Sequence, residues 1–441
     1  MKRNSGSGII VLGVILLVYC LQASSTAPAA SSGNSQYQLS LPLLDNNLLP
    51  IVTDKLTRVS VASNGTEGNA ESYGGGITPD GRYVVFQSKA SNLVSDDTNN
   101  VSDIFIHDRQ TSVTTRISVA SDGAQANGLS EAPSMSADGR YVAYSSEATN
   151  LDGIDTNDAR DIFVHDRQTG QTKRITTGLF GLQTDGDSSA VSISDDGRFI
   201  AFQSQAGNLV VGDSNEDWDV FVYDLQTGET TRVSVFTGGA EFDSASDFPS
   251  ISNDGRYVAF RSESPYIEQI LVHDRETLQT TIASMSSGGI EGNDDSKHPD
   301  ISGNGRYVTF VSDADNLTND AANNSSALFV HDQETGETTR ISVPYSDDDP
   351  FPEQPSISAD GRYVSYALFI NSQVYSHDRH TGETSLVSMR PDGNSGVGTS
   401  LYPHNSADGR YIVFSSYASD LVGDDTNGFT FDVFVFDQSF D

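Results

Sequence analysis

One cysteine and one tryptophan occur in 441 residues, and only five of the basic residues are lysines. The cysteine is Cys20, inside the N-terminal apolar run, so the remainder of the chain can form no disulfide and its packed core must suffice. The tryptophan, Trp218, leaves few indole platforms for stacking sugars. Basic residues number 25 against 61 acidic ones, a formal net charge of −36. Nucleic acids and anionic membranes are poor partners for such a chain, because both are held by clustered Lys and Arg. Cations, or surfaces coated with them, suit it better, and charge of this size favours a soluble monomer. No Gly-x-Ser-x-Gly elbow occurs, which removes the α/β-hydrolase nucleophile.

The one long apolar run lies at the N-terminus. Lys2 and Arg3 precede Ile9 to Leu21, and small residues such as Ala27-Pro28-Ala29 follow, the order of a secretory signal peptide over residues 1–30. The run is shorter than the roughly 20 residues that span a bilayer, so no membrane span is expected after its removal, although a retained anchor stays open. Cys20 follows Tyr19, too large for the usual residue before a lipidated cysteine. The expected location is secreted, extracellular or periplasmic. Residues 31–50 read as a tether whose later part, Tyr37 to Pro50, is apolar enough to dock.

What the chain has in abundance is a repeat. Asp-Gly-Arg (once Asn-Gly-Arg), then Tyr or Phe and an apolar run, returns seven times, centred on Asp80, Asp138, Asp196, Asp254, Asn304, Asp360 and Asp408. The intervals are 58, 58, 58, 50, 56 and 48 residues. Periods of this length, rich in β-branched and aromatic residues, mark a stacked or circular β architecture.

Each copy holds four strand-like pieces. In the second copy these are Pro133–Ser136, Arg140–Tyr144, Asp161–Asp166 and a Lys-Arg-Ile piece around Arg174. The second and third pieces are apolar on both sides, so both faces of the sheet must be covered; the fourth alternates like a half-exposed edge. Four antiparallel strands covered by neighbours describe a propeller blade. The fourth piece first appears as Lys55–Ser63, before the first blade, and the last blade ends at Asp437 without one. The predicted fold is therefore an all-β, seven-bladed β-propeller over residues 51–439, its ring closed by the N-terminal strand pairing in the last blade.

The phrase Ser136–Val142 followed by Asp161–Gly170 resembles the TolB-type propeller repeat, over about Thr53 to Asp437. That resemblance implies the propeller fold. Relatives include envelope-complex components, propellers of prolyl-oligopeptidase-like peptidases, and oligogalacturonate lyases. TolB itself has six blades and a separate N-terminal domain, which argues against direct equivalence.

Spacing from the third-strand Asp to the next turn is 30 residues in every blade but one, whereas from turn to that Asp it runs 28, 28, 28, 20, 28, 18 and 29. Length variation thus sits in the second-to-third loops, on one face, where binding is expected. Those loops carry a second motif, Asp97-x-Asn99 then Asp103, Asp155-x-Asn157 then Asp161, Asp213-x-Asn215 then Asp219, and Asp425-x-Asn427 then Asp432. Hard oxygens in that pattern suit Ca²⁺, although Asp and Asn also build such turns without an ion. First-strand residues placed near the axis are Glu131, Asp247, Lys297, His298, Glu353, Tyr402 and His404. His107, His165, His273, His331 and His377 fall one to a blade and are expected to pack rather than ligate. The recurrent Arg of each Asp-Gly-Arg is expected to bridge to the adjoining hairpin. The functional expectation is an exported, non-catalytic scaffold for a protein or cell-envelope component, with calcium as the candidate ion stiffening its loop face; the alternative is a channel enzyme, a lyase or glycosidase acting on polysaccharide.

Overall fold

The computed structural model describes residues 55–439 apart from 154, 264–266, 320–325 and 342–351; the expected signal peptide and the 31–50 segment lie outside the described residues. Among the described residues no helix is long and apolar enough to cross a membrane.

The Asp-Gly-Arg phrases become hairpin tips for a local reason. In the second copy Ser136 Oγ donates to Asp138 Oδ1 at 2.7 Å, and the same oxygen accepts the Arg140 N–H at 2.9 Å. Ser136 Oγ also accepts the Tyr141 N–H at 3.0 Å. The two side chains thus satisfy backbone donors that the tight turn leaves over. Gly139 sits at φ +69°, and a Cβ there would lie 2.8 Å from the Tyr83 ring of the preceding blade. Glycine is required on both counts.

Among the described residues twenty-eight strands, β1 to β28 in chain order, form seven four-stranded antiparallel sheets. The first blade is β2 (Ser72–Ile77), β3 (Tyr83–Ser88), β4 (Asp103–Asp108) and β5 (Val113–Arg116). The last consists of β26 (Ser400–Asn405), β27 (Tyr411–Ser416), β28 (Asp432–Asp437) and, on its outer edge, β1 (Leu56–Arg58). Thr57 pairs with Val435 and Leu56 with Phe436, so the N-terminal strand completes the seventh blade as the repeat count requires. The ladder continues through Val59 N–H to Val433 O at 2.8 Å and Asp437 N–H to Lys55 O at 2.7 Å.

The core is distributed over the blade junctions. Val84, Phe86 and Phe105 of the first blade pack with Val413, Val433 and Val435 of the seventh, and six equivalent clusters fill the other junctions. Within six blades a stacked aromatic pair joins the second and third strands, as in Phe86–Phe105 at 5.8 Å. The fourth blade pairs Phe260 with Leu271 instead. Inner strands begin earlier than the expected tetrapeptides: β6 runs Ser130–Met135. A bulge explains the longer strand, because the register shifts between Glu131 and Ser134.

Candidate functional site

The inner strands wall an axial cavity of about 640 Å³. Six of them carry one residue in the left-handed region, Ala132, Ala190, Phe248, His298, Gln354 and Tyr402, at φ between 50° and 55°. That conformation is costly for Phe and Tyr, and the repeated bulge imposes it. Phe248, His298, Gln354 and Tyr402 make the wall bulky along blades four to seven, opposite Ala132 and Ala190 on blades two and three.

Of the residues placed near the axis from sequence, Glu131, His298, Tyr402 and His404 line this cavity; Asp247, Lys297 and Glu353 are not among its lining residues. Asp247 is held by Arg261 through two bonds of 2.7 and 2.5 Å. His298 lies edge-on to Phe248 at 5.9 Å between ring centres. Burial, then Lys297 and Arg261, pull its pKa down to about 4, and burial does the same to His404. Both imidazoles are therefore neutral at pH 7. Asp300, which the sequence reading did not single out, lies deep in the same cavity. It accepts Ser250 Oγ–H at 2.6 Å, Ile301 N–H at 3.1 Å and Ile357 N–H at 2.8 Å. Burial raises its pKa.

The loop motif does converge, but on a cation that the chain supplies itself. In the first blade Arg116 Nη1 lies 3.8 Å from Asp97 and 3.9 Å from Asp103, and Asn99 Nδ2 donates to Asp103 at 3.0 Å. Gln125 Nε2 donates to both carboxylates, at 2.8 and 3.0 Å. In the second, Arg174 lies 3.4 Å from Asp155 and 3.1 Å from Asp161, while Asn157 donates to Thr184 O. In the third, Arg232 meets Asp213 at 3.4 Å, Asp219 at 3.2 Å and Glu241 at 2.6 Å, with Asn215 bonded to Phe242 O. In the seventh, Arg58 meets Glu67 at 2.5 Å, Asp432 at 3.7 Å and Asp425 at 4.0 Å, and Asn427 donates to Asp432 at 3.1 Å.

The arginine was missed because it belongs to the fourth strand, whose polar positions were read as the solvent side of a half-exposed edge. A signal existed: Arg58, Arg116, Arg174 and Arg232 are each followed nine residues later by Glu67, Gln125, Gln183 and Glu241. Two groups of three carboxylates, Glu67–Asp425–Asp432 and Asp213–Asp219–Glu241, have ligand atoms within 4.8 Å of one another and could hold a metal ion. Among the described residues no such group includes a channel histidine. Burial, then Asp219, pushes Asp213 up to about 7; burial pushes Asp432 up to about 6.

The opposite face is uniform. The arginines of all seven hairpin phrases bond the last Asp of the third strand in their own blade, as Arg140 does to Asp166 at 2.9 and 2.7 Å. Arg140 also covers its neighbour Tyr141, while Arg167 reaches back over Tyr83 of the preceding blade at 4.3 Å. The five blade histidines bond a fourth-strand threonine, His107 Nδ1 to Thr114 Oγ1 at 2.9 Å for example. Thr114 Oγ1 donates onward to Val61 O, so the imidazole Nδ1–H is the donor and the pair spans a blade junction. Packing is the role, as expected.

Fold and site together define a seven-bladed β-propeller whose recurrent charges are consumed internally, the fold that the TolB-like repeat implies. No protein-family model matches the chain, and no curated protein matches it. Among solved structures, an oligogalacturonate lyase in complex with manganese superposes at TM-score 0.56 with 14% identity, over 87% of this chain and 92% of that one. An oligogalacturonate lyase from Vibrio parahaemolyticus gives TM-score 0.54 at 13% identity, over 87% and 93%. The TolB structure from Acinetobacter baumannii matches more weakly, TM-score 0.40 at 16% identity over 71% and 62%, so the repeat resemblance stands on its residues. Likeness at these identities speaks to fold alone.

Proposed function

We propose that the chain is an exported binding scaffold without catalytic chemistry, which docks a macromolecule of the cell envelope on its loop face. One observation carries this reading, the contrast between the two ends of the ring. The hairpin face repeats one Arg–Asp pair in all seven blades, whereas the loop face is shortened in blades four and six and carries the acidic loops only in others. A constant scaffold with a variable end is how binding surfaces are built on rigid folds. Export rests on Lys2, Arg3 and the Ile9–Leu21 run.

The rival, a polysaccharide-acting channel enzyme, takes its support from the lyase likeness and from His298, His404 and Asp300. Those three do not form a converging ligand group of the kind a manganese centre needs, and Asp300 already accepts three protein donors. Calcium, expected at four loops, keeps support at blades three and seven, where a third carboxylate leaves the largest acidic excess over the single arginine.

Because Cys20 is the sole cysteine, single cysteines can be placed at will in the ring. A cross-linker at Asp96→Cys on the loop face should capture an envelope component, and one at Gln110→Cys on the hairpin face should not. Equal capture from both, or turnover of a polysaccharide panel that is lost in His298→Ala or His404→Ala, overturns the proposal.

A further inference from the structure

Blade six lacks the acid–arginine network, and it lacks every part of it at once. Its third strand, β24 (Gln373–Asp378), opens with Gln373 where the first blade has Asp103. Leu386, paired with Tyr375, takes the place of Arg116, which pairs with Phe105. Ser395, bridged to Met389, takes the place of Gln125, bridged to Val119. With the loop also short, a notch of about 560 Å³ opens on the loop face. Twelve residues line it and none is charged, in a chain where 20% of residues are. Its polar lining includes Ser372, Asn394, Ser395 and Thr399, while the Gln373 amide is spent on Gly396 O, Gly398 O and Ser388 Oγ; its wall toward blade seven is Tyr417.

Tyr417 begins a chain of aromatic contacts. It meets Phe429 at 6.3 Å and Phe431 at 5.1 Å; Phe431 meets Tyr73 at 5.1 Å, and Tyr73 meets Tyr402 at 6.0 Å. Tyr402 lines the axial cavity, so the rings run from the notch to the channel mouth. Phe429 is 79% exposed and Tyr402 39% exposed at the two ends of this track.

We infer that this notch and the aromatic track beside it bind an uncharged oligosaccharide. The inference rests on the scaffold reading and names its ligand class. A protein partner prefers an apolar centre with a polar rim. Here the lining itself is mostly hydroxyls, amides and glycine backbone around Tyr375 and Leu386, and the exposed Phe429 ring packs on Tyr417 of its wall. Aromatic faces take the C–H side of a sugar ring, and the amides and hydroxyls take its hydroxyls. An acidic glycan meets repulsion from a chain of net charge −36, and a cationic ligand finds no carboxylate in the lining.

Titration calorimetry of the mature chain with neutral hexasaccharides of glucan, mannan and galactan, and with a galacturonate hexamer as the acidic arm, tests this. At least one neutral hexamer should bind and the acidic one should not. Phe429→Ala should weaken binding at least tenfold; its ring is mostly in solvent, so the fold is unaffected. Phe180→Ala, 96% exposed on another blade, should change nothing. Absence of neutral-glycan binding, equal binding of the acidic hexamer, or insensitivity to Phe429→Ala overturns the inference. If the glycans fail while Asp96→Cys still captures an envelope protein, the scaffold reading survives and this inference alone falls.

Discussion

Replacing Arg232 by Met should be among the costliest single changes on the loop face. Its side chain is 8% exposed and its partners Asp213 and Asp219 are 5% and 0% exposed, so the change leaves carboxylates buried without their cation. Breaking a buried pair in this way costs about 3–5 kcal/mol. Even with the arginine present, Asp213 sits at about 7 because burial and Asp219 oppose its ionisation. Without it the cluster must take up protons, so the cost should be full at pH 8 and shrink toward pH 5, by about 1.4 kcal/mol per pH unit for each proton bound. Arg116→Met in blade one provides the comparison. There Gln125 stands where Glu241 does and goes on donating to Asp97 and Asp103, so the loss should be nearer 2 kcal/mol, the worth of hydrogen bonds to a charged group. Urea midpoints at pH 5 and pH 8, with and without millimolar calcium, give the measurement. Equal costs for the two variants, or an Arg232→Met cost that ignores pH, would refute the reasoning; calcium relief of Arg232→Met alone would place an ion in blade three.

Other outcomes follow from the same structure. A chain beginning after Ser60 loses β1 and should melt well below the chain that keeps it and aggregate through the bared β28 edge, read by scanning calorimetry and light scattering. Carboxylates with opposite shifts should act on stability in separate pH windows. Asp108, Asp224 and Asp378 are held at about 2 by their arginines, so their contribution is complete above the ordinary carboxylate value and is lost as pH falls toward 2. Asp432 and Asp213 are raised to about 6 and about 7, so theirs is complete below about 4 and fades as pH rises through 6 to 7. Asp432→Asn should flatten the part of the fall between pH 4 and pH 7 that this carboxyl causes, and a melting profile left unchanged by it would contradict this. Phe105→Ala removes a fully buried ring stacked on Phe86 and should cost about 3–5 kcal/mol in denaturant titration.

The ring was legible because its determinants are local and repeated. The Ser-x-Asp-Gly-Arg-Tyr phrase writes its own hairpin, and the displaced copy at Lys55–Ser63 announces the closure before any coordinates. The loop motif was half legible. Asp97, Asn99 and Asp103 do converge, yet the ion they suggest competes with Arg116, whose partner contacts arise only when the fourth strand returns beside the loop. The notch was illegible for a different reason. It consists of absences at Gln373, Leu386 and Ser395, recognisable only once register shows what the other blades hold there. Counting tryptophan also misjudged the stacking surface, since Tyr73, Tyr402, Tyr417, Phe429 and Phe431 come from separate strands and loops.

The tie between Lys55 O and Asp437 N–H places the two ends of the ring one hydrogen bond apart. Every blade junction is built alike, so nothing in the packing marks the seventh as special. A circular permutant that joins these ends through a short Gly-Ser link and reopens at an exposed turn such as Glu276–Leu278 should fold to the same propeller, with its breakpoint now in blade four. For this architecture, where the chain starts is a matter of history, and the ring itself has no first blade.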